Sequence, residues 1–110
     1  MSFGKMNTRI QIARKVITTD DEGFKVEIDE VLATVRAYRE GWHGSEKWTN
    51  MAAFSNATDL FRFRVIPGLE VTTEMRIICG KQVFEITSVE NVKGRRIYLE
   101  VQAREVRKSG

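Results

Sequence analysis

The segment Thr73–Val106, TEMRIICGKQVFEITSVENVKGRRIYLEVQAREV, decides the fold. Met75, Ile77 and Cys79 recur at every second position, Gly80-Lys81-Gln82 interrupts them, and Phe84 and Ile86 resume the period. Asn91-Val92-Lys93-Gly94 interrupts again, after which Ile97, Leu99, Val101 and Ala103 alternate with Tyr98, Glu100, Gln102 and Arg104. In a strand, successive side chains point to opposite faces, so a period of two over this length predicts half-buried antiparallel strands joined by short turns. Residues upstream must supply the remaining strands and cover the apolar face of this meander.

They do so in recognisable pieces. Met1–Asn7 lacks periodicity and reads as a flexible N-terminus. Arg9–Ile17 alternates and is rich in β-branched residues, which predicts a first strand. Thr18–Gly23 is an acidic turn ending in glycine, suited to a residue at positive φ. The return run Phe24–Arg39 changes phase: Phe24, Val26 and Ile28 share one parity, and Val31, Ala33, Val35 and Ala37 share the other. A β-bulge near Asp29-Glu30 would put both sets on one face and bend the strand, as the corner of a closed barrel requires. Gly41–Asn56 breaks the strand pattern. Ser45 is placed to cap a short helix with Glu46 in its first turn and Trp48, Met51, Ala52 and Ser55 along one side. Leu60–Ile66 returns to strand, with Phe61, Phe63 and Val65 on one face, Arg62 and Arg64 on the other, and Pro67-Gly68 as the turn that ends it. The expected architecture is all-β with one short helix: a small antiparallel β-barrel over residues 8–106 with a long, partly helical loop. Residues 1–7 and 107–110 are a flexible N-terminus and a C-terminal tail.

Bulk properties bound the function. A chain of 110 residues with 42% hydrophobic and 30% charged residues is long enough for one core. No apolar run reaches the roughly 20 residues of a membrane helix, and Met1–Met6 has no signal-peptide core, so synthesis in the cytoplasm and no membrane partner are expected. The single Cys79 rules out an internal disulfide framework. The net charge is +3, and because the first forty residues balance seven basic against seven acidic, the whole excess falls in residues 41–110. Such an excess steers weakly toward polyanions.

Catalytic patterns are missing. His43 is the only histidine, and no nucleophile sits in an elbow beside it. A metal would need His43, Cys79 and carboxylates from separate elements, with no close ligand pair to start from. Gly41-Trp42-His43-Gly44 lacks the Lys-Ser/Thr of a phosphate loop. An enzyme is not expected, nor a cofactor. A small nucleic-acid-binding module is the competing reading. Arg62, Arg64, Arg76, Arg95, Arg96, Tyr98 and Arg104 make an OB-like surface conceivable, although Phe61 and Phe63 read as core and leave Tyr98 nearly alone to stack bases.

The order of elements carries a resemblance. A hairpin leads to a long bent strand ending Val35-Arg36-Ala37-Tyr38, then a Gly-containing connection with a short Ala-rich helix. Strands Phe61-Arg62-Phe63-Arg64, Met75-Arg76-Ile77-Ile78 with its Gly80 turn, Val83–Val89 and Tyr98-Leu99-Glu100-Val101 follow. Over about residues 7–106 this resembles the bacteriophage head-tail joining proteins, also called head-closure or stopper proteins, of siphovirus-type phages and prophages. Where that family often has Trp-Ala in the long second strand, this chain has Thr34-Val35-Arg36-Ala37. The resemblance implies a virion protein of the head-tail connector. It would form a homo-oligomeric ring that matches the portal symmetry, twelvefold by resemblance, below the portal or its adaptor, help retain packaged DNA and offer the tail its docking surface. Its partners would be portal or adaptor and tail proteins, with non-specific contact to packaged DNA. On this expectation Gly41, Trp42, His43, Gly44, Lys47 and Trp48 face the ring lumen or a partner ring, and Arg36, Arg39 and Lys47 face DNA or an acidic neighbour.

Overall fold

Each of six strands pairs with two neighbours. The computed structural model describes residues 6–41, 57–94 and 97–106. It contains β1 (Thr8–Thr19), β2 (Lys25–Gly41), β3 (Asp59–Arg64), β4 (Met75–Cys79), β5 (Gln82–Asn91) and β6 (Tyr98–Val106), with a single 3-10 turn at Val92–Gly94. All pairings are antiparallel, and the strands close into a barrel in the order β1-β2-β3-β6-β5-β4. The predicted all-β barrel is therefore present. The predicted helix within Gly41–Asn56 and the tail 107–110 lie outside the described residues.

The alternation read in the sequence fills this barrel. Ile10 and Ile12 of β1, Phe61 and Phe63 of β3, Ile77 of β4, Phe84 and Ile86 of β5, and Val101 and Ala103 of β6 form one buried cluster. Phe61 and Phe84 meet edge to face with centroids 5.1 Å apart and planes at 74°, a geometry worth about 0.5–1.5 kcal/mol beyond the area it buries. Val71, from the stretch between β3 and β4, closes the upper end over this cluster together with Leu69 and Ile66.

Two bulges adjust the phase. Between Ile12–Ala33 and Ala13–Val31 the register skips Leu32. The predicted phase slip is real but falls at Leu32 rather than at Asp29-Glu30, and Val31 consequently lies opposite Ala13 on the outer face, where it is exposed. A second skip, at Thr87 between Ile86 and Ser88, lets Val89 pair with Val101 and reach the core. Thr87 turns its hydroxyl to the carbonyl of Gln102 at 3.1 Å, which satisfies the polar group the bulge leaves over. Arg36, standing where apolar bulk was expected, points outward between the inward Val35 and the buried Ala37, so the barrel wall is undisturbed.

The β1–β2 hairpin continues beyond the barrel. β4 covers β1 only as far as Arg14, and β3 covers β2 only from Tyr38 to Gly41. Residues 15–30 are thus a two-stranded arm, consistent with overall dimensions of 53 × 32 × 23 Å. Its turn is an Asx turn: the Asp20 carboxylate accepts the amides of Glu22 at 3.0 Å and Phe24 at 2.8 Å, and Gly23 takes φ = 88°.

Candidate functional site

The long connection 42–56 leaves β2 after Gly41 and returns before Ala57, and the rim between these points is the most polar part of the interior. Arg39 and Asp59 both sit on core parity, in phase with Ala37 and Phe61 respectively. A lone charge there would cost several kcal/mol, so the two satisfy each other. Arg39 Nε donates to Asp59 at 2.9 Å, with Asp59 2% exposed and Arg39 26%. The network continues in both directions. Thr58 donates its hydroxyl to Asp59 at 2.8 Å and accepts the amide of Glu105 at 3.0 Å. Arg39 Nη1 donates to Gln82 Oε1 at 2.8 Å, and Gln82 Nε2 donates to the Glu105 carboxylate at 3.2 Å. Arg39, Asp59, Thr58, Glu105 and Gln82 thereby form a closed circuit that joins β2, β3, β6 and β5. The guanidinium also lies 5.1 Å from the Phe84 ring and 3.7 Å from Cys79 Sγ, which fits Cys79 to the half-buried, core-facing role its parity predicted. Chemically this circuit holds a shape, tying four strands together at the ends of the 42–56 connection.

The outer wall is a ladder of matched charges. Arg62 meets Glu100 at 2.7 Å, Arg104 meets Glu85 at 3.0 Å, and Arg76 lies 3.8 Å from both Asp29 and Glu85. Tyr38 donates its hydroxyl to Glu40 at 3.1 Å under the Arg62 guanidinium, and partial burial, with that hydrogen bond, holds its phenol above the ordinary value. Arg64 lies over the Tyr98 ring at 5.9 Å. Three of the arginines named for an OB-like surface are thus balanced within the chain, and Arg95 and Arg96 fall outside the described residues.

Of the residues expected at partner-facing positions, Gly41 is exposed at the end of β2, Arg36 is exposed on the outer wall, and Arg39 is drawn into the rim circuit. Trp42, His43, Gly44, Lys47 and Trp48 lie outside the described residues. Asp59 was missed as a functional candidate; the signal was its position two residues before Phe61 on core parity. Among the described residues no group of three or more His, Cys, Asp or Glu is placed to hold a metal ion, and no helix is long and apolar enough to cross a membrane.

Comparison with known proteins places the chain. The model of the phage head completion protein family matches residues 1–106, and the chain belongs to that family. No curated protein matches it significantly. The solved structures that share the fold include the following two. The solution structure of protein SF1141 from Shigella flexneri 2a is 22% identical, with 96% of each chain covered and a TM-score of 0.69. A chain in the virion of a native gene transfer agent particle is 23% identical, with 93% of this chain and 96% of that one covered and a TM-score of 0.62. As a member of that family the chain has a structural role in the phage head and a place in the virion.

Proposed function

We propose that this head completion protein forms a homo-oligomeric ring at the portal vertex, below the portal or its adaptor, where it helps retain packaged DNA and presents the surface on which the tail docks. Family membership is the observation that carries the reading. Several features support it. Within the closed barrel, outside the β1–β2 arm, few sheet edges are free, so the barrel bodies of subunits can crowd in a ring without uncontrolled edge pairing. The polar circuit of Arg39, Asp59, Thr58, Glu105 and Gln82 fixes the two ends of the 42–56 connection to four strands. A connection anchored in this way can project Trp42, His43, Gly44, Lys47 and Trp48 toward the lumen or a partner ring, with the glycines allowing it to rearrange on assembly. Of Arg36 and Arg39, both expected to face DNA or an acidic neighbour, Arg36 is the one that is exposed and has no carboxylate partner among the described residues. In this reading the ring has the symmetry of the portal, twelvefold.

The test is genetic and structural. Deleting the gene from a producing phage or prophage should give filled heads that lose DNA and accept no tails, with recovery when the protein is supplied in trans. Tailed, infectious particles formed in its absence would sink the proposal. Removing residues 43–55 with a short glycine bridge should leave the isolated domain folded while particles lose DNA retention; normal particles would remove the connection from the mechanism.

A further inference from the structure

The projecting β1–β2 arm carries more exposed apolar surface than a monomer needs. Phe24 is 66% exposed, Ile28 50% and Val26 37%. Through the pairings Val16–Ile28 and Thr18–Val26 these side chains lie on the face that continues the barrel interior, and they have left the wall that would cover it. The arm's tip bears Asp20, Asp21 and Glu22.

The barrel wall has a matching recess. β3 leaves β2 above Tyr38–Arg62, and the gap is an apolar groove of about 380 Å³ lined by Met6, Val35, Val65, Ile66 and Pro67 and flanked by Arg36 and Arg64. Neither arginine has a carboxylate partner among the described residues. The arm of the same chain runs away from this groove: eleven residues of extended strand from Val35 to Phe24 span about 36 Å. Its own tip is therefore out of reach, while the tip of another copy is not.

We infer that the β1–β2 arm of one subunit seats its Phe24–Ile28 face in the β2–β3 groove of the next copy, with the tip carboxylates beside Arg36 and Arg64. Phe24 is three residues from Asp21, so a groove that takes the phenyl ring brings opposite charges together at its margin. The apolar contact supplies affinity, and the charges choose register and exclude other pairings. The two surfaces are different patches of one molecule, so the contact is heterologous and propagates head to tail, as a ring requires. This inference rests on the ring reading and names the surfaces that make it.

Two variants test it. The arm variant carries Phe24→Asp and Ile28→Asp, and the groove variant carries Arg36→Glu and Arg64→Glu. All four sites are exposed, so both variants should keep the wild-type β-sheet circular dichroism. In analytical ultracentrifugation up to millimolar concentration, the wild type should self-associate beyond dimer, and each variant alone should weaken association at least tenfold. An equimolar mixture should form heterodimers and nothing larger, since it holds one intact arm and one intact groove. A wild type that stays monomeric, a variant that associates like the wild type, or a mixture that forms no dimer would each overturn the inference. None of these outcomes touches the portal-vertex reading, which stands or falls on the DNA retention of deletion heads.

Discussion

At the level of single residues, Asp59 is where charge and burial meet. Its carboxylate is almost wholly enclosed and its partner Arg39 keeps a quarter of its side chain exposed. Removing the carboxylate leaves a guanidinium held in the rim, although one that water can partly reach. Asp59→Ala should therefore cost about 3 kcal/mol, the lower end of the range for breaking a buried pair. Exposed pairs behave differently: Arg14 and Glu30, at 3.1 Å, are both about half exposed, and Arg14→Ala should cost less than about 1 kcal/mol. Urea denaturation of both variants checks the contrast. Tyr38 gives a pH-dependent counterpart. Burial first, and then the hydrogen bond to Glu40, raise its phenol above the ordinary 10.0, with Arg62 opposing. A raised native value means that the folded state binds the proton more tightly. The resulting stabilisation is complete below the unfolded phenol value and is lost as pH rises through the folded one. Above pH 10 the wild type should lose stability more steeply than Tyr38→Phe, as followed by thermal unfolding across that interval.

At the level of elements, the arm and the barrel should open independently. The barrel strands surround a cluster that includes fully buried Phe61, Phe63 and Phe84, and their amides are shielded by it. The arm has one strand partner for each of its strands and exposed apolar side chains, a combination with little to hold it closed. Hydrogen exchange in dilute protein should find the amides of Thr18, Val26 and Ile28 exchanging at least a hundredfold faster than those of Phe61 and Val101. Equal protection would mean that the arm folds as part of the core. The same contrast explains what could be read from the sequence. Strands β3 to β6 were legible because each alternates within five to ten residues and turns at Gly68, Gly80 or the Val92–Gly94 turn. The bulge at Leu32 was legible as a change of phase but not in position, since Val31, Leu32 and Ala33 are all apolar and pairing with β1 alone decides which is skipped. The exposure of Phe24, Val26 and Ile28 was not legible: alternation shows which residues share a face, whereas the end of the covering strands, at Met75 and Arg62, lies elsewhere in the chain. The Arg39–Asp59 pair escaped for a similar reason, because a partner twenty residues away is invisible to a local pattern.

For the whole molecule, the distribution of charge separates a structural head protein from a module built to bind DNA. A module that grips single or double strands concentrates uncompensated arginines and lysines along a groove and releases counterions as it binds, so its affinity falls steeply with salt. Here Arg62, Arg76 and Arg104 are matched by Glu100, Asp29 and Glu85 on the outer wall, and Arg39 is matched by Asp59. The net charge is only +3, and Arg36 and Arg64 flank an apolar groove instead of extending a basic track. Few phosphates can be neutralised at once. The isolated chain should bind free duplex or single-stranded DNA no more tightly than about 10⁻⁴ M at physiological salt, the weak end of non-specific binding, with a log–log salt slope no steeper than about −3. Fluorescence anisotropy of a labelled oligonucleotide over a salt series measures both quantities. Micromolar affinity with a slope of six or more phosphates would favour the OB-like reading and require basic residues outside the described wall to act together. The expected weak, shallow response is what the proposed ring would need of its subunits, because DNA retained by the assembled ring would not have to be gripped by each subunit.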